Sequence, residues 1–385
     1  NCNALKNLEC YENQLTTLDL SNCNALKNLE CYENQLTTLD LTNCNALKNL
    51  YCSYNQLTEL NVSQNEELKD LSCSHNQIGS LQLSKNTKIE EIRCSDNQLK
   101  YLFTDNNTQL SVLVCSNNQI KELDLGKNTN LTWLDCDHNN ITELDVAANT
   151  LLERLSCVNN QIADLELSRN VSLKYLYCSK NKLPSLSLLS NTELTSLFCS
   201  DNLLTKLNLK YNTKLEYLDC SSNQLSELGI EGLNDLRGIT CYNNIISEEN
   251  MEKLIRSLPL GTDGRITPIM NNGTDKNIFI PDLYDIAVAR GWTVGVAVSF
   301  YGDLISIKVS DGYLFGDVNK DGKVNIADIV MLSNMIHEGK YIKSLDIDDD
   351  GKTGALELTM LVNLIYGDIG EWFLSNFGFD PRYEE

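Results

Sequence analysis

The chain has 385 residues, 42% hydrophobic and 22% charged, which excludes a disordered polymer and leaves room for two or three domains with a sizeable core. Its 31 basic and 53 acidic residues leave a net charge of −22, which repels nucleic-acid phosphates and anionic lipid heads and favours divalent cations, proteins and glycans as partners. No run reaches the roughly 18 uncharged apolar residues that a membrane helix needs.

Twelve of the fifteen cysteines, from Cys10, Cys31 and Cys52 through to Cys241, recur every 21 residues, and Asn13, Asn34 and Asn55 through to Asn244 keep the same period. The first part, residues 1–244, is therefore a repeat array. Each unit reads LxxLxCxxNxLxxLxLxxN, two half-turns with strand-like leucine spacing, each closed by a polar bend residue. Such a unit buries its leucines only by stacking on its neighbours, so a coiled solenoid follows. Residues 2–22 and 23–43 differ only at Ser21 against Thr42. The array opens in mid-repeat, which leads us to expect a leader and an amino-terminal cap before Asn1.

The asparagine ladder is expected to bond the bend backbone and its own neighbours through side-chain amides. The ladder cysteines are expected to form a buried column of reduced thiols. Neighbours in parallel strands stand ~4.8 Å apart, within reach of a bridge, but in-register side chains point the same way. Cys2, Cys23 and Cys44 take the bend position that later holds Asn65, Asn86, Asn107 and Asn128.

This pattern resembles the leucine-rich repeats of bacterial surface proteins, in particular the 21-residue, cysteine-bearing internalin type. The resemblance implies a mainly β, α+β solenoid whose surface recognises a protein or glycan, and an extracellular or bacterial cell-surface location. Outward positions flanking each Leu-x-Cys strand gather aromatics in mid-array: Trp133, Tyr175, Tyr177, Phe198 and Tyr217 are the candidate ligand-binding residues. Asp124, Asp145 and Glu166 share another column at a spacing that mimics a glycosidase carboxylate pair. That column sits on an open flank without a cleft to raise one pKa, the three histidines are scattered, and no catalytic motif appears, so no enzyme is expected.

Residues 245–300 read as a small α/β carboxy-terminal cap. Ser247 starts a helix with an apolar stripe of Met251, Leu254, Ile255 and Leu258, ended by Pro259. A strand at 265–270, a helix from Pro281 to Arg290 closed by Gly291, and a strand at 292–298 follow. Residues 301–314 read as a linker, with strand-like alternation in DLISIK.

The segments DVNKDGKVNIAD at 317–328 and DIDDDGKTGALE at 346–357 place oxygen-bearing side chains at loop positions 1, 3, 5 and 12 around a glycine at position 6, the spacing that wraps a calcium ion. Each loop precedes one apolar helix pattern, 329–336 and 358–365, with no entering helix. This duplicated unit, residues 315–368, resembles a type I dockerin, an all-α loop-helix calcium module that plugs a subunit into a cohesin. The resemblance assigns one Ca2+ to Asp317, Asn319, Asp321, Asn325, Asp328 and the Lys323 carbonyl. It assigns a second to Asp346, Asp348, Asp350, Glu357 and the Lys352 carbonyl. At the docking positions, where many dockerins carry small hydroxyl residues, stand Ile326, Ala327, Ala355 and Leu356, which implies an apolar partner surface. The tail, 369–385, carries Trp372, Phe373, Phe377 and Phe379. The expected function is a secreted or cell-surface recognition protein with a calcium-dependent docking module. The alternative is a calcium-stabilised, non-catalytic subunit of a polysaccharide-processing assembly of cellulosome type.

Overall fold

The computed structural model describes residues 2–261, 264–270, 275–279, 281–300 and 303–308. The calcium loops, the docking positions and the aromatic tail lie outside the described residues. The described chain forms parts of two compact units that divide at Leu215/Glu216.

In the first unit, ten three-residue strands run from β1 (Asn7–Glu9) to β10 (Ser196–Phe198), one per repeat. Neighbours pair in parallel with a 21-residue offset, as in Leu8↔Leu29 and Leu176↔Leu197. The central leucine or isoleucine of each strand from Leu29 on is fully buried and its two neighbours face outward, the period-2 rule applied to the shortest possible strand. The ladder extends past the strand: Cys31 N–H bonds Tyr51 O (2.8 Å) and Glu33 N–H bonds Ser53 O (2.9 Å).

The two half-turns were expected to be alike, but only the one before the cysteine forms a strand. The residue before each ladder asparagine, from Glu12 to Asn243, sits at φ between 50° and 56° in all twelve repeats, although none is glycine. That left-handed step costs roughly 1–2 kcal/mol per residue and turns the chain out of the sheet. Successive tight turns, such as Cys44 N–H to Leu41 O and Leu47 N–H to Cys44 O, then bring it back. The second LxxLxL segment buries Leu36, Leu39 and Leu41 but pairs as β-structure at the bridge Leu60↔Leu81 alone among the described residues.

The asparagine ladder serves the backbone. Asn118 donates to Cys94 O (3.0 Å), Cys115 O and Ser116 O (both 3.1 Å), while its Oδ1 accepts from Leu99 N–H (2.9 Å). One side chain satisfies the polar groups of two coils. It bonds backbone rather than the next ladder asparagine, contrary to the second half of the expectation. A second column, Asn65, Asn86 and Asn107, donates to carbonyls of the preceding turns and leaves each Oδ1 buried without a partner. Cys23 and Cys44 occupy this column in the first repeats and are buried.

The second unit opens with two more repeat strands, β11 (Tyr217–Asp219) and β12 (Gly238–Thr240). Helix α1 (Glu248–Ser257) follows, capped by the Ser247 side chain accepting from Asn250 N–H, with Met251, Leu254 and Ile255 buried. Strand β13 (Arg265–Met270) joins β12 in parallel, and β14 (Thr293–Phe300) joins β13 after α2 (Pro281–Ala289). Strand β15 (Asp303–Lys308) pairs antiparallel with β14, so the sheet enters the stretch read as linker. Asn277 does the ladder's work out of register: it donates to Cys241 O and Pro268 O (both 2.8 Å) and accepts from Ile246 N–H (2.9 Å). Trp292 closes this end, 2% exposed, its Nε1 donating to Pro259 O (2.8 Å). A Cβ at Gly264 would stand 2.8 Å from the Trp292 ring, so only glycine fits there.

Candidate ligand-binding face

Because each strand contributes two outward side chains and the column after the cysteine a third, the repeat face is a grid whose chemistry changes while its backbone does not. Thirteen of the fifteen cysteines are buried, with Cys2 exposed and Cys10 half-buried. Burial pushes the thiols of Cys31, Cys73 and Cys178 up to about 12, so they stay protonated and inert. The ladder is filling, and the face is where chemistry varies.

In mid-array the structure places Trp133 at the start of β7 (Trp133–Asp135), Tyr175 and Tyr177 at the ends of β9 (Tyr175–Tyr177), and Phe198 at the end of β10. Tyr177 and Phe198 stack with centroids 5.2 Å apart. Arg154, which sequence reasoning did not single out, lies over both Trp133 (5.1 Å) and Tyr177 (5.2 Å), and Arg93 lies over Trp133 at 5.4 Å. The result is an interleaved cation–π stack across successive strands. Tyr175 is 40% exposed. Tyr217 opens β11 in the second unit and is exposed there.

Beside the stack, Asp137 accepts from Ser156 Oγ with both carboxylate oxygens (2.7 and 2.8 Å) and from Val158 N–H (2.6 Å). Partial burial, and then the neighbouring Asp135 charge, push its carboxyl up to about 6. Burial raises Asp135 as well. By contrast Asp124, Asp145 and Glu166 are exposed, and each accepts the backbone N–H two residues on, at Gly126, Ala147 and Ser168. Their column caps turns.

Nearer the amino terminus the same face forms an open groove of about 700 Å³ that the sequence reading passed over. Its floor is a column of serines, one per coil: Ser53, Ser74, Ser95 and Ser116. Ser95 and Ser116 hydroxyls bond each other (2.8 Å), Ser53 bonds Ser72 (2.9 Å), and Ser74 Oγ accepts from Ser95 N–H (3.1 Å). Tyr54 stacks on His75 at 4.0 Å on one wall, and His75 Nε2 lies 3.5 Å from Asp96 Oδ2. Tyr51 donates its hydroxyl to Asp70 at 2.6 Å. The clue in the sequence was the 21-residue recurrence of Ser after Cys, which reads as an ordinary exposed column.

A family model described as the dockerin type I domain matches residues 315–366. The functional domain of InlJ from Listeria monocytogenes, which includes a cysteine ladder, is 31% identical with a TM-score of 0.59. That likeness covers 69% of this chain and 65% of that domain, so the chain spans just under two thirds of it. The internalin InlF from Listeria monocytogenes shares the fold at 23% identity and TM-score 0.69, over 78% of this chain and 88% of that one. YopM from Yersinia enterocolitica is 25% identical over 70% of this chain and 56% of its own, with a TM-score of 0.57. No curated protein matches the chain. The described residues form a mainly β leucine-rich repeat solenoid, and residues 315–366 match the dockerin type I domain. Both module types are generally non-catalytic, and dockerin type I domains generally bind calcium. No helix among the described residues is long and apolar enough to cross a membrane.

Proposed function

We propose that this is a secreted or cell-surface, non-catalytic recognition protein whose repeat face captures a protein or glycan ligand while its dockerin domain docks a cohesin-type partner. The observation that carries this reading is the mid-array stack. Arginine, tryptophan and tyrosine are the residues in which binding energy concentrates at interfaces. Here they sit side by side on the outward positions of a rigid sheet, where the fold itself asks for nothing apolar. Trp133, Tyr175, Tyr177 and Phe198, all in the first unit, are the proposed contacts, with Arg154 holding the rings in place.

The dockerin loops fit calcium by the chemistry of their donors: short carboxylates and amides two residues apart around a glycine present the hard oxygens that the ion requires. Two ions are proposed, one per loop. When bound, calcium neutralises acids that otherwise repel one another and ties each loop to the helix pattern after it. The second loop carries net charge −4 against −1 for the first and ends in Glu357, long enough to bind with both oxygens, so it is the tighter site. Ile326, Ala327, Ala355 and Leu356 are the proposed docking surface.

The test uses the full chain on immobilised type I cohesin modules, in calcium and after chelation. Capture in calcium that disappears with chelator supports docking; capture indifferent to chelator, or none, contradicts it. Calorimetric calcium titration should show two sites, with Asp346→Ala weakening uptake more than Asp317→Ala. Tyr177→Ala with Phe198→Ala should weaken ligand capture while leaving cohesin capture intact.

A further inference from the structure

We infer that the groove between Glu30 and Ser116 is a second binding site on the repeat face, and that its ligand is a neutral polysaccharide laid across the strands. This goes beyond the reading above: the site shares no residue with the mid-array stack, and its chemistry differs.

The composition of the lining selects the ligand class. Five serines, three tyrosines, one histidine and three carboxylates line the groove, with no aliphatic side chain and no lysine or arginine. A protein partner would meet a surface rich in Ser, Asp and Glu, the types depleted at protein interfaces, with no aliphatic side chain among them. An anionic ligand would meet Glu30, Glu33 and Asp96 without a compensating cation. A bare metal ion is disfavoured as well, because no group of three or more His, Cys, Asp or Glu among the described residues could hold one.

A neutral polyol suits all of it. Each sugar hydroxyl both donates and accepts, and so do serine and tyrosine hydroxyls, while the carboxylates accept strongly. The rings of Tyr54 and His75 offer negative π faces to the C–H faces of a sugar ring. Ser53, Ser74, Ser95 and Ser116 repeat once per coil, ~4.8 Å apart at the backbone, so a polymer with regularly spaced hydroxyls meets the same partner in each coil. The Ser53–Ser72 and Ser95–Ser116 hydrogen bonds use one proton per pair; Ser53 and Ser95 are buried, and the half-buried Ser72, Ser74 and Ser116 are the hydroxyls a ligand reaches.

The rings on the wall are expensive. Tyr54 (52% exposed) and His75 stand at φ 54° and 52°, where glycine or asparagine is favoured and where the equivalent positions Asn117 and Asn159 carry asparagine. The left-handed step is common to all twelve repeats, so the two rings are a choice of this stretch of the column, and they stack only on each other.

The experiment is affinity electrophoresis of the full chain through gels holding mixed-linkage β-glucan, xyloglucan, galactomannan or arabinoxylan, with polygalacturonate as the anionic control. At least one neutral polymer should retard the protein and polygalacturonate should not. The double variant Tyr54→Asn with His75→Asn, chosen because asparagine accepts the left-handed backbone, should lose at least tenfold in retention with unchanged circular dichroism and a melting temperature that is unchanged or higher. The double variant Tyr177→Ala with Phe198→Ala is run beside it to separate the groove from the mid-array stack. Absence of retardation by all four neutral polymers, full retention by the groove variant, or equal retardation by polygalacturonate overturns the proposal. Retention lost only in the Tyr177/Phe198 variant overturns it too, while leaving the mid-array reading intact.

Discussion

The serine groove and the aromatic stack lie on one face of one unit and share the same leucines, cysteines and ladder asparagines, yet they present opposite surfaces. In the groove, acids and buried or half-buried hydroxyls surround a stacked tyrosine–histidine pair. In the stack, Arg93 and Arg154 close over aromatic rings and the side chains pack on one another. Buried positions of the repeat are therefore spent on the coil, and the two or three outward columns are free to change chemistry without changing the backbone. In a solenoid of this kind function is written in columns, and neighbouring stretches of a column can serve different ligands.

The sharpest way to break this comparison is to attack what both regions share. Asn118→Ala strands Cys94 O, Cys115 O and Leu99 N–H at once. At about 1–3 kcal/mol for each unsatisfied buried group, it should cost about 3 kcal/mol or more in urea unfolding. A loss below about 1 kcal/mol would show that water replaces the ladder and that the skeleton is not what holds the face.

A smaller effect separates the regions by pH. Asp137 stands beside the stack with its folded pKa raised to about 6, above the unfolded value near 4. The folded state then holds the proton more tightly, so its stabilising contribution is full below pH ~4 and is lost as pH rises through ~6. Asp137→Asn should raise the melting temperature at pH 8, and the gain should shrink toward nothing at pH 4. A gain that is equal at both pH values would remove titration from the account.

The smallest effect concerns the thiols. Native protein treated with a thiol reagent should react at Cys2 and Cys10 and leave the thirteen buried cysteines until denaturant is added. Bridged ladder peptides recovered without reductant would contradict the packed column.

Much of this was legible in the sequence because periodicity is a packing statement. A 21-residue recurrence of leucine, cysteine and asparagine leaves stacking as the only way to bury them, and the stripe of Met251, Leu254 and Ile255 marks α1 equally well. The division of each repeat into one strand and one irregular half was not legible. Both halves carry the same leucine spacing, and the difference comes from a left-handed residue that Glu, Tyr, His, Lys and Asn all occupy. Asn277 was missed because it reaches the ladder from a loop 33 residues beyond Asn244, where period no longer guides. The aromatic columns were readable one by one, but Arg154 joins them through space, and the serine column only becomes a groove once the coils are stacked.

The central claim is that buried columns carry the fold and outward columns carry binding, and comparative unfolding of three variants tests it most directly. Leu134→Ala removes a fully buried side chain and should cost about 2–5 kcal/mol. Tyr177→Ala with Phe198→Ala removes one stacked pair and one cation–π contact and should cost about 2 kcal/mol or less. Tyr54→Asn with His75→Asn should leave stability unchanged or raise it, since strain is relieved at two left-handed positions. If either outward pair costs as much as Leu134→Ala, the face is part of the scaffold and the account is wrong.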